Sequence, residues 1–142
     1  MKKSIQADKR AGPPRAAQRD QILIVDNDPV FLALLAKFLR KDGFRVLTAK
    51  DGALALKILK TVTPDVILLD LVMPNVSGRE LAGRFEKLRP GIKVLFMSGY
   101  SDNVIEQHGV LEEGTHFIQK PFSPEALARK IRELLVPLAD MT

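Results

Sequence analysis

Cysteine and tryptophan are missing from this chain of 142 residues, and tyrosine occurs once. The lack of cysteine excludes disulfide bonds, thiolate zinc sites and a cysteine nucleophile together. No apolar run approaches the roughly 18 residues that a membrane-spanning helix needs. The basic amino terminus is not followed by an apolar stretch, which is unlike a signal peptide. We therefore expect a cytoplasmic protein.

The charges are divided unevenly along the chain. Residues 1–20 contain six basic and two acidic side chains, a net charge of +4, whereas the rest contains 16 and 15, a net charge of +1. The near-neutral main part does not require a nucleic-acid partner. Residues 1–20 have few large apolar side chains to offset the entropy of ordering, so we expect a flexible basic arm or linker. Residues 21–138 are expected to form one domain, with a tail at 139–142.

Short apolar runs alternate with stretches of helical periodicity after residue 20. Runs of this length are typical of strands that are buried on both faces. The five runs are residues 22–25, 46–48, 66–69, 94–97 and 117–118. Strand–helix alternation of this kind predicts an α/β fold, a doubly wound (βα)5 domain with a parallel five-stranded sheet covered by helices on both faces.

The predicted helices have apolar stripes and recognisable starts. Asp28 before Pro29, Ser77 and Ser123 are in the positions of helix N-caps. The weakest helix is predicted at 102–113. The stripes of the other four are Phe31, Leu34, Leu35 and Phe38; Leu54, Leu56, Ile58 and Leu59; Leu81, Phe85 and Leu88; and Leu127, Ile131, Leu134 and Leu135.

Polar residues follow four of the five predicted strands. Asp26 and Asn27 follow the first, Asp70 the third, Ser98 the fourth and Lys120 the fifth. The carboxyl ends of parallel strands meet at the edge where such sheets bind ligands. Carboxylates that crowd together there favour a hard divalent cation such as Mg²⁺. A carboxylate beside Mg²⁺, a hydroxyl and an ammonium is suited to accept a phosphoryl group.

Four stretches of the sequence together resemble the receiver domain of two-component response regulators. They are ILIVDND, DVILLDLVMPNVSG, VLFMSGY and FIQKPFS. The similarity covers about residues 21–137. MSGY and FIQKPFSPEALARKIREL look most like the receivers of hybrid sensor histidine kinases. The resemblance implies a flavodoxin-like sheet of strand order 2-1-3-4-5. It also implies a phosphoaccepting signalling domain that is not an enzyme.

The resemblance implies that Asp70 accepts a phosphoryl group from a phosphohistidine of a histidine kinase or a histidine phosphotransfer domain. The Mg²⁺ ligands of the family match four groups in this sequence: Asp26, Asn27, Asp70 and the backbone carbonyl of Val72. Asn27 departs from the family, which usually has Asp at this position, so we expect weaker Mg²⁺ binding. A receiver that no longer takes phosphate is the alternative.

The other residues that match the family imply a conformational switch. Ser98 and Lys120 match the groups that contact the phosphoryl oxygens, and Phe117 matches the aromatic switch position. The bond between Lys120 and Pro121 is expected to be cis. The fourth helix, fifth strand and fifth helix would then present a changed surface to a downstream protein target. Val72 and Tyr100 flank the predicted site and are bulky, from which we expect slow loss of phosphate.

A different function class is a metal-dependent phosphohydrolase with an aspartyl nucleophile. Such enzymes usually need a second Asp two residues after the nucleophile, and here that residue is Val72. A nucleotide-binding domain is disfavoured because no glycine-rich loop follows the first strand. No DNA-binding domain is predicted in this chain. The alternatives left open are a single-domain regulator and the receiver part of a hybrid kinase.

Overall fold

The computed structural model describes residues 20–99 and 116–136, and its five strands form one parallel sheet. The strand order is β2-β1-β3-β4-β5, and each neighbouring pair is parallel. The strands are β1 (Gln21–Val25), β2 (Arg45–Ala49), β3 (Val66–Asp70), β4 (Lys93–Ser98) and β5 (His116–Gln119). The predicted doubly wound sheet and its order are confirmed.

Helices connect the strands, and three of the four described ones begin at the predicted caps. The Asp28 side chain accepts hydrogen bonds from two backbone N–H groups of the first turn, and Ser77 and Ser123 each accept one. The helices are α1 (Pro29–Lys41), α2 (Gly52–Leu59), α3 (Gly78–Leu88) and α4 (Pro124–Leu135). The helix predicted at 102–113 lies outside the described residues, so α4 is the fifth helix of the sequence-based prediction.

Two apolar clusters cover the two faces of the sheet. Successive strand side chains point to opposite faces, so Ile22 and Ile24 of β1 join one cluster and Leu23 and Val25 the other. The first cluster is completed by α1 and α4, and the second by α2 and α3. The central strands β1 and β3 are therefore buried on both sides, as their unbroken apolar runs predict.

The predicted apolar stripe of α1 is wrong in part. Leu34 is 63% exposed, and the buried residues are Leu32, Leu35, Ala36 and Leu39. The helix is apolar around most of its circumference, so periodicity does not decide which face packs on the sheet. Leu88, predicted on the stripe of α3, is also exposed, at 39%. No helix in the part of the chain described here has the length and apolar character needed to cross a membrane.

Helix α3 begins in close contact with the end of β3. The N–H of Gly78 donates a hydrogen bond to the carbonyl of Leu71 over 2.9 Å. A Cβ atom on Gly78 would lie 2.7 Å from Leu71 Cα and 2.9 Å from the carbonyl oxygen of Asp70. Glycine is therefore required for this approach, which determines the path of the chain after Asp70.

Candidate functional site

Within residues 20–99 and 116–136, the buried polar side chains are confined to one edge of the sheet. Among the described residues, only Asp26, Asp70 and Ser98 are buried polar or charged groups. Asp26 follows β1, whereas Asp70 and Ser98 are the last residues of the neighbouring strands β3 and β4. Because these strands are parallel and adjacent, their carboxyl ends bring the three residues to the same place, as the sequence predicts.

Lys120 joins the two carboxylates. Its Nζ lies 3.1 Å from Asp26 Oδ2 and 3.7 Å from Asp70 Oδ2. The backbone N–H of Lys120 also donates a hydrogen bond to the carbonyl of Ser98 over 2.6 Å. The loop after β5 is thus fixed to the end of β4. The ammonium offsets one of the two negative charges, which leaves this group with a net charge of −1 when both carboxylates are ionised.

The loop between β1 and α1 fixes the orientation of Asp26. The backbone N–H of Asp28 donates to Asp26 Oδ1 over 2.9 Å. The Asp28 side chain in turn caps α1, the structural role that its position before Pro29 indicates. Asn27 lies between the two aspartates and is exposed. It is therefore at the rim of the pocket, within one residue of a buried carboxylate.

The loop after β3 fixes Asp70 in a similar way. The backbone N–H of Val72 donates to Asp70 Oδ1 over 3.1 Å, and that of Leu71 donates to the carbonyl of Met97 over 2.8 Å. The Val72 side chain is 61% exposed. The loop therefore holds Asp70 in place and presents it next to solvent.

Burial raises the pKa of the Asp70 carboxyl above its ordinary value of 3.8. Lys120 lowers this pKa, Asp26 raises it, and the hydrogen bond from Val72 lowers it. Burial outweighs the attraction of the ammonium because desolvation disfavours the charged form. An additional cation near Asp26 and Asp70 would relieve this cost.

The oxygen ligands fit a small hard cation. Asp26 and Asp70 supply carboxylate oxygens, with the exposed amide of Asn27 beside them. No cluster of three or more histidine, cysteine or carboxylate groups occurs within residues 20–99 and 116–136. Mg²⁺ is compatible with such a sparse set because it retains several waters and also binds phosphate oxygens.

The Ser98 hydroxyl is fully buried and has no hydrogen-bond partner within the described part of the chain. A buried hydroxyl without a partner is costly, and it therefore points to an additional ligand at this position. Its place at the end of β4, beside Asp70 at the end of β3, suits an oxygen-rich ligand bound to Asp70.

The other predicted residues lie on and after β5. Phe117 is partly buried and is the register partner of Phe96 on β4. The peptide bond between Lys120 and Pro121 is cis. Phe117 is thus on the edge strand of the sheet, which β4 separates from the central strands β1 and β3. Its role as a switch stays a prediction because the helix predicted at 102–113 is outside the described residues.

Phe31 was predicted only as a core residue, but it belongs to the site. The Lys120 ammonium lies 4.3 Å from the centre of the Phe31 ring. A helical side chain leans toward the amino terminus of its helix. An aromatic residue in the first turn of α1 is therefore directed at the loop that contains Asp26, and this is the sequence signal that could have identified it.

A doubly wound domain with two carboxylates, a hydroxyl and a lysine at the carboxyl edge of its sheet has the architecture of a receiver. The family model described as the response regulator receiver domain matches residues 22–132. The chain belongs to this family, whose members are signalling domains. The resemblance inferred from its four motifs is therefore confirmed.

Individual relatives agree with this assignment. The chain is 34% identical over 115 residues to the uncharacterized transcriptional regulatory protein YbdJ of Bacillus subtilis (strain 168). That match covers 81% of this chain and 50% of the relative. The chain thus spans about half the length of the curated relatives it matches.

Solved structures match over nearly their whole length. A CheY-like response regulator receiver domain protein from Methanospirillum hungatei JF-1 is 30% identical with a TM-score of 0.70, covering 82% of this chain and 94% of that chain. The receiver domain of the hybrid histidine kinase CckA is also 30% identical, with a TM-score of 0.69 and coverages of 82% and 99%. The chain is therefore similar both to a CheY-like receiver domain protein and to the receiver domain of a hybrid histidine kinase.

Proposed function

We propose that this protein is the phosphoacceptor of a two-component phosphorelay and that Asp70 is the residue phosphorylated. The donor is a phosphohistidine of a histidine kinase or a histidine phosphotransfer domain. One observation supports this most: two buried carboxylates share one ammonium beside a buried hydroxyl that has no hydrogen-bond partner within residues 20–99 and 116–136. We expect the exchange to take place in the cytoplasm, where ATP supplies the phosphoryl groups.

The proposed step is an in-line transfer. A carboxylate oxygen of Asp70 attacks the phosphorus, a P–O bond forms, and the P–N bond to the imidazole breaks. The leaving nitrogen keeps the electron pair and takes a proton from solvent. The product is an acyl phosphate on Asp70 and a neutral histidine on the donor. The protein mainly positions groups and stabilises charge in such a transfer.

Each site residue has a proposed part in this step. Mg²⁺, when bound, neutralises charge on the transferring oxygens, and Asp26, Asn27, Asp70 and the Val72 carbonyl would hold it. The Lys120 ammonium would pair with one phosphoryl oxygen, since it already contacts the acceptor carboxylate. The Ser98 hydroxyl would donate a hydrogen bond to another, which would satisfy its unmet donor.

The donor is expected to approach α1. Val30 and Leu34 are one helical turn apart on α1, and both are largely exposed. Val72, on the loop after Asp70, is exposed as well. Large apolar side chains at the rim of a reactive site are typical of protein docking. We propose that a helical surface of the donor covers them during transfer.

The consequence of phosphorylation would be a switch and not catalytic turnover. Ser98 would move toward the phosphoryl group, and Phe117 would turn inward. The populations of two surfaces around the predicted fourth helix, β5 and α4 would then shift. A downstream protein would recognise that surface, and residues 21–138 would be sufficient as the receiver unit. Slow loss of phosphate stays a prediction, since Tyr100 is outside the described residues.

Incubation with acetyl phosphate and Mg²⁺ tests the proposed function. We expect each chain to gain one phosphoryl group, which hydroxylamine removes and mild acid does not. The variant Asp70→Asn should gain none, and omission of Mg²⁺ should strongly reduce the gain. Catalytic hydrolysis of phosphate esters, or an equal gain by the variant, would refute the proposal and favour a phosphohydrolase or another acceptor.

A further inference from the structure

The ammonium of Lys120 has a third partner besides the two carboxylates. It lies 4.3 Å from the centre of the Phe31 ring, well within the range of about 6 Å for a cation–π contact. The Phe31 ring in turn packs edge-to-face against Phe122, with ring centres 6.2 Å apart and an interplanar angle of 65°. Phe31 and Phe122 both pack against the apolar cluster formed with α1 and α4.

The loop that contains Asp26 also determines the position of the ring. The N–H of Asp28 donates to Asp26, and the Asp28 side chain accepts the N–H of Phe31 over 3.2 Å. The backbone of Phe31, the capping residue Asp28 and Asp26 are therefore connected by consecutive hydrogen bonds. Phe122 is two residues after Lys120, so the ring packs against the same segment after β5 that carries the lysine.

We propose that Phe31 is a positioning residue for phosphotransfer, which holds the Lys120 ammonium at the acceptor carboxylate through its ring face. This inference rests on the proposed function, because it assigns a role within the same site. The ring attracts the ammonium without using a lone pair of Asp26 or Asp70. The carboxylates can therefore bind other ligands while the lysine remains in the pocket.

The contact also limits the solvation of the ammonium. The Lys120 side chain is only 26% exposed, and the ring covers part of the remaining approach. A lysine side chain that was flexible in solvent would lose rotamer freedom when it entered the pocket during phosphotransfer. A lysine already held beside Asp70 has lost this freedom beforehand, which is the advantage of a preorganised site.

Rates of phosphorylation by acetyl phosphate and Mg²⁺ test the proposal, because this small donor needs no docking surface. We expect Phe31→Leu to be about three- to tenfold slower than the wild type and Phe31→Tyr to restore most of the rate. Replacing Phe31 by trifluorophenylalanine should slow the reaction as well. Fluorine depletes the negative ring face but preserves most of the shape.

Phe38→Leu is the matched control. Phe38 lies two helical turns further along α1 and packs against the same cluster, so its loss should change stability but not the rate. If the fluorinated ring reacts as fast as the natural one, the role of Phe31 is packing alone and the proposal is wrong. Equal slowing in Phe38→Leu would also overturn it.

Proton NMR of the unphosphorylated protein gives a second, independent measurement. Protons above a ring face are shifted upfield, so the ε-methylene signals of Lys120 should be upfield and should return downfield in Phe31→Leu. Signals at ordinary positions in the wild type would overturn the inference. A wild type that accepts no phosphoryl group would instead refute the proposed function, and the NMR shift would still decide whether Phe31 holds Lys120.

Discussion

The body of the sheet and its carboxyl edge are built in opposite ways. In the body, β1 and β3 alternate apolar side chains between two clusters, and these side chains are fully buried. At the edge, Asp26 directly follows β1, Asp70 ends β3 and Ser98 ends the neighbouring strand β4. These three are the buried polar groups among the described residues. At the end of β1 and of β3, the buried side chains change from apolar to acidic between two consecutive residues.

This contrast separates what stabilises the fold from what makes the site reactive. Apolar burial in the body is favourable by about 25 cal/mol per Å². The edge contains a carboxyl whose pKa burial raises and a hydroxyl without a partner in the described residues. Both features cost stability in the unmodified protein, as is common at functional sites. The stable body therefore holds an edge at which a bound ligand would lower these costs.

A pair of substitutions on β4 tests the contrast with the largest expected effect. Leu95 and Ser98 are three residues apart and both are fully buried. Leu95→Ala should lower the free energy of unfolding by about 2–5 kcal/mol. Ser98→Ala should change it by less than about 1 kcal/mol, or increase it, because its hydroxyl makes no hydrogen bond to the described part of the chain. Urea denaturation measures both, and an equal cost at the two positions would break the comparison.

Two glycines of α3 provide the next test. A methyl group on Gly78 would meet backbone atoms of Leu71 and Asp70, whereas one on Gly83 would meet nothing within 4 Å. Gly78→Ala should cost about 2–3 kcal/mol of stability and slow phosphorylation by displacing the loop after Asp70. Gly83→Ala should stabilise the protein by up to about 1 kcal/mol because alanine favours helix. Thermal unfolding and acetyl phosphate assays measure these effects; a tolerated Gly78→Ala would contradict the predicted clash.

Adding a charge at the rim should sharpen the difference between edge and body. Asn27→Asp brings a third carboxylate next to Asp26, and we expect Mg²⁺ to bind about tenfold more tightly, or roughly 1.4 kcal/mol. Titration calorimetry measures this affinity. Asp28→Ser, which keeps a capping oxygen but removes a charge, should have a smaller effect. Equal or weaker binding by Asn27→Asp would rule out Asn27 as a ligand position.

The smallest effect concerns the stability cost of the Asp70 charge. Because burial raises its pKa in the folded state, ionisation of Asp70 lowers stability as the pH rises through that pKa. Asp70→Asn keeps an acceptor for the Val72 N–H and removes the charge. It should be more stable than the wild type by about 1 kcal/mol at neutral pH. The difference should disappear below the unfolded pKa of 3.8; a variant less stable at neutral pH would contradict this.

Local signals in the sequence predicted the elements well, and packing explains where they failed. The caps at Asp28, Ser77 and Ser123 depend on neighbouring residues only, and all three are confirmed. The buried face of α1 depends on how the helix rests on the sheet, and its nearly uniform apolar sequence does not encode that rotation. Leu34 was assigned to the wrong face for this reason.

The functional site also combines features that local sequence signals predict with features that depend on packing. Polar residues after the strands were sufficient to predict that Asp26, Asp70, Ser98 and Lys120 meet, because the edge of a parallel sheet is a property of topology. The contact between Phe31 and Lys120 could not be predicted in that way. It depends on the side-chain directions of two residues that are far apart in the sequence, one in the first turn of α1 and one after β5. Phenylalanine in an apolar stripe usually indicates core packing.

The central claim is that the edge exists to make Asp70 a phosphoacceptor. Phosphotransfer from a phosphorylated histidine phosphotransfer domain, followed by borohydride trapping and peptide mass spectrometry, tests it most directly. We predict a single trapped residue, Asp70, with label lost from the donor histidine in equal amount. Label found on another residue, or a donor that keeps its phosphate while Mg²⁺ is present, would contradict the account.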